Sequence, residues 1–217
     1  MRPLTDRTPK PLLEVGGKPL IAWQVERLVA GGFTELVINH AWLGEQLEHA
    51  LGDGSRFGAR IAWSREATAL ETAGGIATAL PLLEAGARDR PFAVVSADIY
   101  TRFDYARLVP VVESIDARFP LRAAHLVTTP NPDFHPRGDF AIEDGLVRRD
   151  GDALVTYGNI GVFHPRLFDG VAPGTVLALF PWLYSFADEG RVTGEFFSGP
   201  WHNLGTPEQL AALDRSL

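Results

Sequence analysis

The sequence has no cysteine at all. That removes disulfides, thiolate metal sites and a cysteine nucleophile in one step. It has no uninterrupted apolar run of about 18 residues, which excludes a membrane-spanning helix. Its start, Met1-Arg-Pro-Leu-Thr-Asp6, carries no apolar signal core, and the expectation is a cytoplasmic protein. It has no excess of basic charge. With 20 Lys and Arg against 27 Asp and Glu, the net charge is −7. An acidic chain gains nothing from a polyphosphate backbone, so nucleic acid is not an expected partner. A small anionic substrate stays open, because a few local cations and a metal ion can hold phosphates inside an acidic protein.

Several motifs are missing as well. There is no Gly-x-Gly-x-x-Gly, no Gly-x-x-x-x-Gly-Lys-Ser/Thr and no Gly-x-Ser-x-Gly. His40 and His202 have no third partner at metal-ligand spacing, which argues against zinc. The tryptophans, at 23, 42, 63, 182 and 201, are scattered over separate segments and suit core packing better than base stacking.

What is present reads as β and α in alternation. The first 18 residues hold three prolines and suggest an extended loop. Leu20, Ile21, Trp23, Val25, Leu28 and Val29 recur at helical spacing, with Pro19 before them and Gly31-Gly32 after. Residues 35–39 read as a buried strand, 43–51 as a short helix, 60–63 as a strand and 74–83 as a helix with glycines at its mouth. Residues 92–97 are a strongly apolar strand with Asp98 at its end. A helix over 104–115 and a strand over 121–127 follow. The stretch 130–151 is rich in Pro, Gly, Asp and Arg and reads as turns and short hairpins. A strand over 157–163, an apolar helix over 177–187, strands over 191–197 and 201–204, and a helix over 207–217 with Thr206 as N-cap close the chain. With 217 residues and no linker or repeat, the expectation is one α/β domain with a doubly wound, mostly parallel but mixed sheet.

Four places can carry chemistry, and each has an ordinary structural alternative. Prolines on both sides hold Lys10, which suits a phosphate-binding point charge or an exposed lysine in a stiff loop. Asp98 ends a buried strand, where open α/β sheets bind ligands and a carboxylate can hold Mg²⁺; the alternative is a cap on the next turn. Glu71-Thr72-Ala73-Gly74-Gly75 opens a helix with glycines, which allows close approach of a ligand or simply makes a tight strand-to-helix turn. Asn203 lies between apolar strand residues before Gly205 and can face the same cleft as Asp98, or bond to the turn backbone.

Together and in this order, these pieces resemble the sugar-phosphate nucleotidyltransferases. The resemblance is carried by Met1-Arg-Pro-Leu-Thr, Thr8-Pro-Lys-Pro-Leu, Gly17-Lys-Pro-Leu-Ile21, Val37-Ile-Asn-His-Ala-Trp-Leu43, Gly52-Asp-Gly-Ser-Arg-Phe-Gly58, Leu70-Glu-Thr-Ala-Gly-Gly-Ile76, Arg137-Gly-Asp-Phe140 and Gly205-Thr206. It runs over nearly the whole chain. The Asn-His-Ala-Trp-Leu and Arg-Gly-Asp-Phe segments resemble the branch acting on muramate.

The resemblance implies a Rossmann-like domain, Mg²⁺, UTP and a sugar 1-phosphate, with pyrophosphate released in a single displacement. It implies that Lys10 contacts phosphates, that Asp98 and Asn203 hold the metal, that Glu71, Thr72, Gly74 and Gly75 line the nucleotide and sugar pocket, and that Asn159 and Gly161 form the sugar-side wall. The muramate branch implies N-acetylmuramate 1-phosphate as acceptor. Mannose 1-phosphate with GTP and glucose 1-phosphate with dTTP are the rivals within the class. An inactive nucleotide-sugar binding module is the rival outside it. Relatives carry a strand and a Leu-Ala-Ala-Gly-x-Gly-x-Arg loop directly before the residue matching Met1, and this sequence holds neither. An internal start or a truncation is therefore expected, with apolar sheet edges left open. Two further departures are Ser96-Ala97-Asp98, where relatives usually have Asn-Gly-Asp, and the lack of a Glu-Lys-Pro element after Arg137.

Overall fold

A computed structural model describes residues 1–83 and 89–217. Its strands are β1 (Glu14–Val15), β2 (Lys18–Pro19), β3 (Glu35–His40), β4 (Arg60–Arg65), β5 (Phe92–Val95), β6 (Ile99–Thr101), β7 (Ala124–Thr129), β8 (Ala141–Glu143), β9 (Leu146–Arg148), β10 (Thr156–Phe163), β11 (Val192–Phe196) and β12 (Trp201–Asn203). Its helices are α1 (Leu20–Ala30), α2 (Gly44–Leu51), α3 (Glu71–Leu83), α4 (Val109–Arg118), α5 (Leu179–Trp182), α6 (Tyr184–Asp188) and α7 (Pro207–Asp214). The chain is α/β with a mixed central sheet.

Six strands form that sheet in the order β5-β10-β7-β11-β9-β8. Within it β7 and β11 run parallel, and the remaining neighbours pair antiparallel. β3 and β4 form a separate parallel pair, and β6 and β12 a separate antiparallel one. The central strand β7 is buried along its whole length because both faces of the sheet are covered there. On β7, Leu126 packs with Phe163, Phe140 and α3, while Val127 packs with Ile160, Ile115 and α4. That alternation follows the two-residue period of a strand. Full burial of each such side chain stabilises the fold by roughly 1.5–3 kcal/mol.

Helix α1 buries Leu20, Ile21, Gln24 and Val25 along one stripe and ends at Gly31. A Cβ at Gly31 would stand 2.8 Å from the Tyr105 side chain, so the helix end packs tightly on the 3-10 turn that precedes α4. The apolar segment 177–187 is not one helix. Phe180 is extended at φ −110°, ψ 139°, just before Pro181, and breaks the helical run within α5. Proline disfavours the α conformation in the residue before it.

β3 and β5 were expected to be buried strands, yet every residue of β5 is only half-buried and β3 exposes Glu35 and Asn39. The two strands face each other across a groove of about 610 Å³, with no described strand between them. Leu36, Ile38, Val94 and Val95 line it from the sides, and Ile21 and Leu80 from the helices. Each bordering strand pairs on one edge only, β3 with β4 and β5 with β10.

Candidate active site

Asp98 follows β5 at the carboxyl end of the sheet. The strand cannot continue straight, and the chain turns into β6, whose backbone is gripped from below. Gln24 donates from Nε2 to the carbonyl of Ile99 (2.6 Å) and accepts from the Tyr105 hydroxyl (2.6 Å). Burial pushes the Tyr105 hydroxyl well above its ordinary pKa, so it stays a proton donor in this network. The side chain of Arg27 also donates to the carbonyl of Thr101. A buried, fully paired network of this kind fixes the turn that presents Asp98.

Lys10 reaches the same point from the opposite end of the sequence. Pro9 is extended at φ −60° and ψ 139° and is followed by a 3-10 turn over Lys10–Leu12. That turn closes with Leu12 N–H to Pro9 C=O (2.8 Å) and Leu13 N–H to Lys10 C=O (3.1 Å). The ammonium then donates to Asp98 Oδ2 at 2.6 Å. Both side chains are partly open to solvent, at 26% and 34%. The pair is accessible to a ligand without being a free surface ion pair.

Asn203 is brought alongside by a ladder. β12 runs antiparallel to β6 with Asn203 opposite Ile99, and the Leu204 N–H donates to the Asp98 carbonyl (3.4 Å). Trp201 pins β12 to the main sheet through Nε1 and the Gly158 carbonyl (2.8 Å). The Asn203 side chain has no partner among the described residues. Beyond it, Thr206 and Gln209 form a reciprocal capping box on α7, which fixes the turn after Asn203. Beside Asn203, partial burial of the ring lowers the pKa of His202, which favours the neutral imidazole.

Asn159 joins this group through the backbone. It sits at an irregularity in β10, between Tyr157 and Ile160, with φ 57°. Its carbonyl accepts from Ser96 N–H (3.1 Å), two residues before Asp98. Asparagine tolerates this left-handed conformation better than most residues. Gly161 is placed differently. It lies mid-strand opposite Val94 and Leu126, where a Cβ would stand 2.9 Å from the Phe163 ring and 3.0 Å from the His125 carbonyl. Packing accounts for that glycine.

Glu71, Thr72, Gly74 and Gly75 lie across the groove, at the start of α3. Glu71 has φ 63°, and it and Thr72 are exposed. Gly74 is covered by the segment 175–177: its N–H donates to the Leu177 carbonyl (3.0 Å), and a Cβ would collide with the Thr175 carbonyl. A Cβ at Gly75 would meet Glu66 Oε1 at 2.9 Å. Close backbone approach within the chain explains Gly74, whereas the atoms nearest a Cβ at Gly75 are the tips of side chains. Two residues that the sequence reading did not single out hold this corner. Asn39, at the end of β3, donates from Nδ2 to Glu66 Oε1 (3.0 Å) and to the Gly75 carbonyl (2.9 Å). Polar residues at the carboxyl ends of neighbouring apolar strands were the available signal.

Two oxygen donors are brought near each other, Asp98 from the turn just before β6 and Asn203 from the end of β12, with nothing else filling the Asn203 amide. No cluster of three His, Cys, Asp or Glu suited to a metal occurs among the described residues. A two-donor site fits Mg²⁺, which keeps waters and takes its other ligands from substrate phosphates, and does not fit a fully caged cation.

Residues 1–133 match the family described as Nucleotidyl transferase. The chain belongs to that family. It is 47% identical over 210 residues to an N-acetylmuramate alpha-1-phosphate uridylyltransferase of Neisseria meningitidis serogroup B, covering 95% of this chain and 88% of that protein. It is 34% identical to a Caulobacter vibrioides protein of the same name, over all of this chain and 91% of the other. A Bacillus anthracis crystal structure described as a glucose-1-phosphate thymidylyltransferase superposes with a TM-score of 0.81 at 19% identity, over 100% of this chain and 89% of that one. The nucleotidyltransferase architecture is therefore shared even where sequence similarity is low. No helix among the described residues is long and apolar enough to cross a membrane.

Proposed function

We propose that this protein transfers the uridylyl group of UTP to N-acetylmuramate 1-phosphate and releases pyrophosphate, in the cytoplasm and with Mg²⁺. The observation that carries the reading is the convergence of Lys10, Asp98 and Asn203 at the carboxyl end of the sheet. The similarity to the Neisseria protein over 95% of the chain supports the uridylyl and muramate assignments.

In the chemistry, an oxygen of the sugar phosphate attacks the α-phosphorus of UTP as the bond to pyrophosphate breaks. No covalent enzyme intermediate is needed, so positioning and charge neutralisation are the protein's contribution. Asp98 and Asn203 would hold the Mg²⁺, which neutralises phosphate charge when bound. Lys10 and Asp98 occupy each other before substrate arrives. Entry of the triphosphate separates them, freeing the Lys10 ammonium for phosphate oxygens and Asp98 for its role as a metal ligand. Glu71 and Thr72, exposed at the start of α3, would line the nucleotide and sugar pocket, and Asn159 would belong to its sugar-side wall.

The 217 residues act as one nucleotidyltransferase domain in this reading. The test is pyrophosphate release with UTP, Mg²⁺ and N-acetylmuramate 1-phosphate, by the 217-residue chain and by a version with a relative's first strand and loop grafted before Met1. Turnover in the grafted form supports the reading. Equal or better turnover of mannose 1-phosphate or glucose 1-phosphate defeats the muramate assignment. Nucleotide-sugar binding with no turnover in either form identifies a binding module instead.

A further inference from the structure

N-acetylmuramate differs from an ordinary N-acetylhexosamine by a carboxylate on an ether side chain. The proposed acceptor therefore brings a phosphate and a carboxylate into a chain of net charge −7. The phosphate has Lys10. The carboxylate needs its own cation, and an arginine fork matches its two oxygens.

The loop 130–139 offers one. It follows β7, which runs in the same direction as β5 because both pair antiparallel with β10. Both strands thus end at the side of the sheet where Asp98 stands. Along β10, Ile160 faces Val95, the Asn159 carbonyl meets Ser96 N–H, and Tyr157 N–H then donates to Asp139 Oδ2 (2.8 Å). The loop is therefore attached to β10 just beyond the turn that holds Asp98.

Its shape is held from several sides. Asn131 donates to the carbonyls of Pro136 (3.3 Å) and Leu154 (2.9 Å), and its Oδ1 accepts from the Thr156 hydroxyl (2.8 Å). His135 Nε2 lies 3.0 Å from Asp139 Oδ1, and the Tyr184 hydroxyl donates to the Asp139 carbonyl (3.0 Å). Gly138 turns with φ 71°, and a Cβ there would stand 2.8 Å from Asn131 Oδ1. Between these anchors Arg137 is exposed and has no carboxylate or hydrogen-bond partner among the described residues. Asp139 is engaged with His135 and Tyr157 instead of Arg137. The loop is fixed and its guanidinium is free.

We propose that Arg137 is the residue that reads the sugar's carboxylate and so selects a sugar acid over the plain amino sugar. This rests on the uridylyltransferase reading above. Equilibrium binding by calorimetry tests it, with UDP-N-acetylmuramate and UDP-N-acetylglucosamine as the two probes. Arg137→Gln is expected to weaken the first by about tenfold or more and leave the second unchanged, because a charge-assisted bidentate contact is lost from one ligand only. Arg137→Lys is expected to fall between wild type and Gln on the muramate probe. An unchanged affinity for UDP-N-acetylmuramate, or an equal loss on both probes, overturns the assignment while leaving the functional reading intact. Failure of wild type to bind either probe overturns the functional reading, and this inference with it.

Discussion

Lys10 Nζ lies 2.6 Å from Asp98 Oδ2, although 88 residues separate them in the chain. The contact joins a proline-held loop to the end of β5 and places a cation and a metal-competent carboxylate at one point. We expect Lys10→Met and Asp98→Asn each to lower pyrophosphate release in a catalytically competent form by at least about 10²-fold, the scale of losing one well-placed charged group. Circular dichroism should show both variants folded. Near-normal turnover in either would remove that residue from the mechanism.

Asn203 supplies a neutral oxygen where a carboxylate would bind a hard cation more strongly. Asn203→Asp should lower the Mg²⁺ concentration for half-maximal turnover several-fold, and Asn203→Ala should raise it. A Mg²⁺ titration of pyrophosphate release reads both directions. An identical midpoint in all three proteins would take Asn203 out of the metal site.

Gly74 lies beneath the segment 175–177, where its N–H bonds to the Leu177 carbonyl. A methyl group there runs into the Thr175 carbonyl. Gly74→Ala should therefore destabilise the fold by about 1–3 kcal/mol in urea unfolding, the range for forcing extra volume into a packed site. Wild-type stability in the variant would mean that the segment moves aside freely.

His164 stacks on Phe119 with ring centroids 3.8 Å apart, and its Nδ1 accepts from the Arg166 N–H (3.2 Å). Burial, and secondarily the nearby Arg166 charge, lower its pKa from 6.5. The folded state thus prefers neutral imidazole, while the unfolded chain takes up its proton first as pH falls. This contribution to stability is complete above about pH 6.5 and is lost as pH drops through the lowered folded value. Tm should fall between pH 7.5 and 5, and His164→Asn, which keeps a capping acceptor, should reduce the fall. His202 shifts the same way through burial, so part of the pH dependence should persist. A pH profile identical to wild type would exclude His164 as a contributor.

Local signals carried much of the fold. The apolar stripe of α1, the Thr206 N-cap and the hairpin character of 130–151 depend on neighbours in sequence, and the structure places α1, the capping box and the β8–β9 hairpin there. The kink at Phe180-Pro181 also had a local cause, but the apolar pattern over 177–187 masked it. The burial of β3 and β5 was not readable from their composition. An apolar strand is half-buried when one of its edges has no neighbour, and neighbours are a property of topology. The site divides in the same way. Residue types marked Lys10 and Asp98, yet only the fold shows that they touch. Asn39 lay within the Val37–Leu43 motif without a site role given to it, and Glu66 had no motif to mark it. Gly74 and Gly161 look alike in sequence to ligand-approach glycines, and their surroundings show tight intrachain packing against backbone carbonyls.

The groove between β3 and β5 also determines how force passes through the molecule. A ladder of backbone hydrogen bonds resists sliding, whereas side chains packed face to face slip far more easily. Among the described residues the unit formed by β3 and β4 has no such ladder to the six-stranded sheet, and Ile21, Ile76 and Leu80 border the gap from α1 and α3. Asn39 and the α3 mouth lie on one side of this seam, and Asp98 and Asn203 on the other. Side-chain packing of α1 and α3, with no backbone ladder described across the seam, therefore sets the spacing between the two walls of the cleft.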